Sequence, residues 1–391
     1  MPIDCESRIS TRVQQLQPSP IRRFFGLVES MPDAISLSIG EPDFITPWLI
    51  RESGIFALEK GNTQYTANMG LLELRQEIAR YLSARFGVDY DPHSEILVTV
   101  GVSEGLDLAM RVLLNDGDRI VIPQPSYVAY PATAHLAGGI PVPVNTFVEH
   151  NFQITAEELD AAIIASGARS ALIGYPNNPT GAILPRERME GIAAVAAKRD
   201  LIVISDEIYA ELTYERDPIS FASLPGMQER TILLGGFSKA FAMTGWRLGY
   251  AAAPKEIITA MTKVHSYTCL CAPKPAQKAT IEGLQRGMGE VERMREEYNH
   301  RRRVIVNRLR AMGLPCFEPE GAFYAFPSIA RTGLSSIEFA ERLLMEEGVA
   351  VVPGSAFGAC GEGFIRCCYA VAFPLIEKAM EKMARFVAKI S

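Results

Sequence analysis

No apolar run in this 391-residue chain is long enough to cross a bilayer, so a transmembrane reading has no segment to stand on. The opening residues, MPIDCESRISTRVQ, are acidic and broken by polar side chains, and they lack the apolar stretch of a secretion signal. Cysteine is scarce. Seven of them, an odd number without framework spacing, read as reduced thiols in a cytoplasmic setting. Neither Cys269-Leu270-Cys271 nor Cys367-Cys368 has a histidine at zinc-finger spacing, so both pairs read as buried structural thiols and no metal is expected. An excess of positive charge is missing too. The formal net charge is −6, whereas nucleic acid or an anionic membrane calls for a concentrated basic face. The nearest approach to one, His300-Arg301-Arg302-Arg303, follows Glu290, Glu292, Glu296 and Glu297 and reads as a solvated helix face.

What the chain does have is enough apolar material for a large core. A content of 48% hydrophobic and 21% charged residues sets aside disordered and collagen-like classes, and the length suits two or three domains. Short aliphatic runs recur through the middle: EILVTV from Glu95, RIVIP from Arg119, ALIGYP from Ala171, LIVISDE from Leu201 and TILLGGF from Thr231. Helical patterns separate them, as at Leu71, Leu74, Ile78 and Leu82, and this alternation predicts a parallel sheet covered on both faces. After about residue 285, Val291, Met294, Tyr298, Ile305, Leu309 and Met312 recur at helical intervals amid dense charge. They predict one long surface helix leading into a smaller α+β unit. The first 45 or so residues carry Pro18, Pro20, Pro32 and Pro42 without a long periodic segment, and read as an arm packed onto something larger.

Open parallel sheets bind ligands at the carboxyl ends of their strands, and the unusual polar residues fall there. EILVTV runs into Gly101-Val102-Ser103-Glu104-Gly105 and then a helical pattern, a turn whose free N–H groups suit a phosphate; an ordinary strand-to-helix turn reads the same way. Tyr175-Pro176-Asn177-Asn178-Pro179-Thr180-Gly181 is either a rigid loop or part of a site. Asp206 directly follows the apolar LIVIS, where a carboxylate is costly unless a donor or cation meets it; a helix N-cap is the competing reading. Lys239 follows TILLGGF among small and apolar neighbours, a setting that lowers an amine's pKa and makes it a nucleophile for carbonyls. Arg247 and Arg366 each sit in an apolar run and need an anion, from a ligand or from a structural ion pair. A phosphate cradle, an acid, a reactive amine and two anion-seeking arginines together are what pyridoxal phosphate requires.

The ordered series SLSIGEPDF, YTANMGLLELR, VTVGVSEGL, PSYVAYP, YPNNPTG, SDEIYAELTY, GFSKAFAMTGWRLGY, EPEGAFYAFP and VAVVPGSAFG, followed by Arg366, resembles the class I/II aminotransferases of fold type I. The similarity runs from about Ile35 to the C-terminus, in the branch that includes bacterial aspartate, aromatic and N-acetyl-diaminopimelate aminotransferases. It implies a large α/β domain over residues 46–285 with a mostly parallel seven-stranded sheet flanked by helices. A small α+β domain over 286–391 and an N-terminal arm over 1–45 that joins it complete the expected chain.

By the same resemblance, Lys239 forms the imine with pyridoxal 5'-phosphate, Asp206 pairs with the ring nitrogen, and Tyr209 and Asn178 bond the phenolic oxygen. Tyr127 stacks on the ring. Gly101, Val102, Ser103, Ser238 and Arg247 hold the phosphate, with Tyr65 reaching it from the other subunit of a homodimer. Arg366, Asn178 and the Gly40 backbone take the substrate carboxylate. Many relatives place a second small residue where Val102 stands, so Val102 contributes its backbone alone. No motif locates the extra arginine that some relatives use for a dicarboxylate side chain; Arg22 and Arg23 are candidates, with a surface role as the competing reading. The implied reaction is ping-pong transfer of the amino group of an L-α-amino acid to a 2-oxo acid, 2-oxoglutarate foremost, with no nucleic acid and no membrane involved. A β-lyase of sulfur amino acids is the alternative on the same fold. The aminotransferase-like half of a transcription factor is not expected, because the segment before SLSIGEPDF is too short for a winged helix.

Overall fold

The computed structural model describes residues 3–16, 31 and 33–390. Twelve strands are seen among them: β1 (Ile35–Ser36), β2 (Ile96–Thr99), β3 (Arg119–Gln124), β4 (Ile140–Asn145), β5 (Ser170–Gly174), β6 (Ile202–Asp206), β7 (Thr231–Gly236), β8 (Gly249–Ala252), β9 (Tyr324–Ala325), β10 (Val349–Ala350), β11 (Val352–Pro353) and β12 (Ile365–Cys368). β2 to β8 form one seven-stranded sheet in the order β2-β8-β7-β6-β5-β3-β4. It is parallel except for β8, which runs antiparallel to both its neighbours. The fold is therefore the mostly parallel α/β arrangement of fold type I.

Why these segments are strands follows from burial. β2, β5 and β8 are buried at every residue, which requires helices on both faces and a continuous apolar sequence. The helix Leu72–Phe86 supplies one cover. Leu74, Ile78 and Leu82 point inward, each contributing roughly 2 kcal/mol by leaving water, and Gly87 at φ +68° ends the helix in a left-handed cap. The helix Ala156–Ser166 begins in a capping box between Thr155 and Glu158. β4, the exposed edge, alternates Pro141 and Pro143 with apolar residues, and Ile140 N–H and Thr146 N–H donate inward to Asp118 O and Gln124 O. Among the described residues no helix is long and apolar enough to cross a membrane.

The charged segment after residue 285 forms the long helix Met288–Ala311, whose apolar stripe of Val291, Met294, Tyr298, Ile305 and Leu309 is buried. Here the structure corrects the reading of the basic run. Arg301 and Arg302 are buried, not solvated. Arg301 bonds Asp43 Oδ1 at 2.7 Å and Glu297 Oε1 at 2.9 Å, while Arg302 donates to Pro319 O at 2.7 Å and to the Glu215 carboxylate. Burying a guanidinium is costly unless its N–H groups are largely paired, and here Asp43 and Glu215, distant in sequence, supply partners alongside Glu297 one turn away.

Past this helix, β11, β12 and β9 make a three-stranded antiparallel sheet, and β1 pairs in parallel with β10. The N-terminal arm thus joins the C-terminal unit: Leu37 O accepts Cys368 N–H at 2.8 Å. All seven cysteines are free. Cys367 and Cys368 are buried as expected, whereas Cys269 is exposed, because it follows the last turn of the helix Lys255–Thr268.

Candidate active site

Because the parallel strands point one way, their carboxyl ends share one edge of the sheet. The reversed β8 presents its amino end at that same edge, with Thr99 and Gly236 both opposite Gly249. Arg247, two residues before Gly249, therefore arrives beside the residues that follow β2 and β7, although its own strand runs the other way. The loops after β2, β3, β5, β6 and β7, together with Arg247, enclose a cavity of about 600 Å³. Every predicted site residue except Gly101 and Tyr65 lines it.

β7 ends at Gly236, and Lys239 follows in the next turn. Its Nζ donates to Gly40 O at 2.7 Å and lies 5.9 and 5.8 Å from the ring centres of Tyr209 and Phe323. Burial lowers its pKa to about 8, so a substantial fraction of the amine is neutral near physiological pH. Ser238 beside it is buried and also lines the cavity.

Asp206 closes β6. Burial raises its pKa, opposed first by the Tyr130 hydroxyl, which donates to Oδ2 at 2.8 Å, and then by Ile208 N–H at Oδ1. The helix N-cap reading does not hold, since no helix begins there. Tyr127 stands edge-on to Tyr130, ring centres 5.6 Å apart, and burial raises its pKa too.

The turn after β2 starts the helix Gly101–Leu113, whose first N–H groups have no intrahelical partner. Gly101 adopts φ +72°, and a Cβ there would meet the Arg247 guanidinium at 2.6 Å. A Cβ at Gly249 would likewise meet Val102 N at 2.8 Å. Two glycines thus let Arg247 and β8 lie directly against the turn. Val102 and Ser103 follow in the first helical turn and face the cavity.

Arg366 lies in β12, nearly fully buried, with its guanidinium 4.5 Å from the Tyr324 ring centre and 5.0 Å from that of Phe357. Nη1 donates to Asn178 Oδ1 at 2.8 Å and Nη2 to Ser38 O at 2.6 Å, while the buried Nε has no partner. Among the described residues no carboxylate forms an ion pair with Arg366 or Arg247, which disfavours the structural ion-pair reading of both. Tyr209 Oη and Tyr324 Oη are 2.7 Å apart.

Two residues to which sequence reasoning gave no role touch this arrangement. Tyr130 sits three residues after Tyr127 within PSYVAYP and bonds Asp206. Tyr324, within EPEGAFYAFP, touches Tyr209 and Arg366, and its hydroxyl fills the space that a side chain at Gly40 would need. The motifs were visible, but the pairings depend on sheet register. Tyr65 is 79% exposed and apart from the cavity, while Arg22 and Arg23, like Pro18, Pro20 and Pro32, lie outside the described residues. Among the described residues no cluster of His, Cys, Asp and Glu could hold a metal.

Comparison with known proteins matches residues 32–383 to the family described as aminotransferase class I and II. The chain is 46% identical to an aspartate aminotransferase of Pyrococcus abyssi and 44% identical to aromatic-amino-acid aminotransferase 2 of Thermococcus litoralis. Each alignment covers 96% of this chain and 97% of the relative. The solved aspartate aminotransferase of Thermus thermophilus with maleate superposes with a TM-score of 0.92 at 37% identity, over 96% of this chain and 99% of that one.

Proposed function

The chain belongs to the class I and II aminotransferases, enzymes that use pyridoxal 5'-phosphate, and on that premise we propose that it moves the amino group of an aromatic, aspartate-like or related L-α-amino acid to 2-oxoglutarate in two successive half-reactions. The observation that carries this reading is the meeting in one cavity of three groups: an amine with pKa near 8, a buried carboxylate, and a buried guanidinium with a free Nε. These residues fit the cofactor. Lys239 is an amine that can condense with its aldehyde, and the two glycines that bring Arg247 against the first N–H groups of the helix Gly101–Leu113 gather donors for its phosphate, while the free Nε of Arg366 leaves a donor for a substrate carboxylate.

When bound, pyridoxal 5'-phosphate supplies an aldehyde that takes up amines and a ring that draws electrons from the substrate Cα–H bond. Lys239 is its covalent anchor between turnovers. Free and neutral, its Nζ would take the proton from the substrate Cα and return it two bonds away, at the carbon that was the cofactor's aldehyde. Asp206, whose charged form the Tyr130 hydroxyl favours against burial, would pair with the ring nitrogen. Tyr209 and Asn178 would bond the phenolic oxygen, and Tyr127 would contact the ring. Gly101 and Val102 by their backbone, with Ser103, Ser238 and Arg247, hold the phosphate. Arg366, oriented by Asn178 and Ser38 O and flanked by the Gly40 backbone, grips the substrate carboxylate two atoms at a time.

The same reading divides the chain into an arm over 1–45, a cofactor domain over 46–285 and a small domain over 286–391, and makes the protein a homodimer. An apolar face supports the dimer. Ile45, Trp48, Ile55, Phe56 and Leu58 are exposed on or beside the helix Trp48–Glu59, and Asn68 Nδ2 ties the Tyr65 segment to Leu270 O at 3.1 Å. A second copy buries that face and brings Tyr65 to its neighbour's phosphate. The free thiols fit the cytoplasm.

Borohydride reduction of the cofactor-loaded protein, followed by peptide mapping, tests the anchor: the label belongs on Lys239 and is absent from Lys239→Ala. A label retained by that variant overturns the assignment. A panel of amino donors against 2-oxoglutarate identifies the substrate. Parallel double-reciprocal lines are expected, and converging ones count against two half-reactions.

A further inference from the structure

One buried ionisable pair behind the cavity has no part in the chemistry above. His265, in the helix Lys255–Thr268, is fully buried, and its Nδ1 lies 2.6 Å from Glu104 Oε1. The other oxygen of Glu104 accepts Val100 N–H at 2.5 Å. Glu104 belongs to the first turn of the helix Gly101–Leu113, so its carboxylate reaches back to the residue that precedes Gly101. The partners hold Glu104 ionised: burial works against the charge, but the bonds from His265 and Val100 outweigh it and keep its pKa below the ordinary carboxylate range.

A charged carboxylate at that place has two opposite consequences. It pins the backbone that shapes the turn, and it puts a negative charge in the same helical turn as Val102 and Ser103, where it opposes an incoming dianion. His265 is the group that resolves the conflict. Its Nδ1 meets one oxygen of Glu104 while the other accepts Val100 N–H, and its Nε2 is buried without a partner, so among the described residues the imidazole's polar contact is with this carboxylate. We propose that His265 and Glu104 are a positioning pair for the cofactor phosphate, in which His265 offsets the Glu104 charge and so makes the turn after β2 selective for a phosphorylated cofactor.

The inference rests on the assignment of Val102 and Ser103 to the phosphate, and the test separates the two. Apoprotein is titrated with pyridoxal 5'-phosphate and with unphosphorylated pyridoxal, following absorbance of the bound chromophore. A wild-type protein that binds both equally removes the phosphate assignment itself. Given a wild-type preference, His265→Leu is expected to weaken pyridoxal 5'-phosphate about tenfold, the loss of one charge-assisted contact, with pyridoxal binding unchanged. His265→Leu combined with Glu104→Gln, which removes the unscreened charge, is expected to recover most of that loss. An equal loss for both ligands means a merely structural role and overturns the inference, as does no loss, or a loss that Glu104→Gln does not relieve. Should His265→Leu not fold, Glu104→Gln decides: without the opposing charge the preference is expected to hold or rise, and a fall as large as tenfold overturns the pair.

Discussion

The Tyr130 hydroxyl and Asp206 Oδ2 are 2.8 Å apart in the interior, and among the described residues one backbone N–H, that of Ile208, also bonds this carboxylate. Burial raises the Asp206 pKa while the hydroxyl lowers it, so Tyr130→Phe should push it up further. Fewer carboxylates are then ionised at a given pH. Cofactor affinity is expected to fall off at a higher pH in the variant than in wild type as the solution is acidified. Overlapping affinity profiles would show that Tyr130 has no hold on Asp206.

Tyr324 combines two contacts that substitution can separate. Tyr324→Phe loses the hydroxyl bonded to Tyr209 but keeps the ring under Arg366, whereas Tyr324→Leu loses both. A desolvated cation–π contact is worth about 2 kcal/mol, so Tyr324→Leu should raise KM for the amino donor roughly tenfold or more, with Tyr324→Phe changing it only a few-fold. Equal KM values for the two variants would deny the ring any role in holding the guanidinium.

Lys239 gives a pH signature. Its folded pKa of about 8 lies below the ordinary lysine value, so the neutral amine that reacts with an aldehyde accumulates as pH rises through 8. The rate at which apoprotein takes up pyridoxal 5'-phosphate should climb with a midpoint near that pH. For stability the sign is also fixed. Between about 8 and 10.5 the unfolded chain binds more protons here, so this group makes the apoprotein more stable as pH rises through that window. An uptake rate still climbing steeply toward pH 10 would mean an unperturbed amine.

Glu207, next to Asp206 but facing away from the cavity, accepts from Phe221 N–H, Ser205 and Ser220, and burial still lifts its pKa to about 7. An acid whose folded pKa exceeds its unfolded one favours the folded state below the unfolded pKa and loses that contribution as pH climbs through the folded one. Urea unfolding of the apoprotein should therefore show up to about 3 kcal/mol of stability lost between pH 4.5 and 7 from this group. Glu207→Gln should flatten that part of the profile, and an unchanged slope would mean the carboxyl is compensated.

The legibility of this chain depended on whether a feature was local. Five of the seven strands in the large sheet, β2, β3, β5, β6 and β7, were readable because strands covered on both faces are near-continuous aliphatic runs. β4 and β8 were not, for opposite reasons: IPVPVN carries prolines that argue against a strand, and GYAA is too small and short to show periodicity. Lys239 and Asp206 stood out because a charge at the end of an apolar strand is costly wherever it occurs. Tyr130 and Tyr324 did not, since a tyrosine among apolar residues is ordinary and its partner lies 76 or 115 residues away. The buried Arg301 and Arg302 were misread for the same reason: their charges look solvated until Asp43 and Glu215 are seen beside them.

The free edge of the sheet carries a consequence for the protein in a crowded solution. Along β4 the even-numbered residues turn their N–H groups toward β3, as the bonds of Ile140 and Thr146 show, so Pro141 and Pro143 occupy the outward-facing places. At those places proline has no hydrogen to offer an incoming strand. A stray chain laid along this border finds carbonyls without alternating donors, so the sheet ends there and resists growth into aggregates.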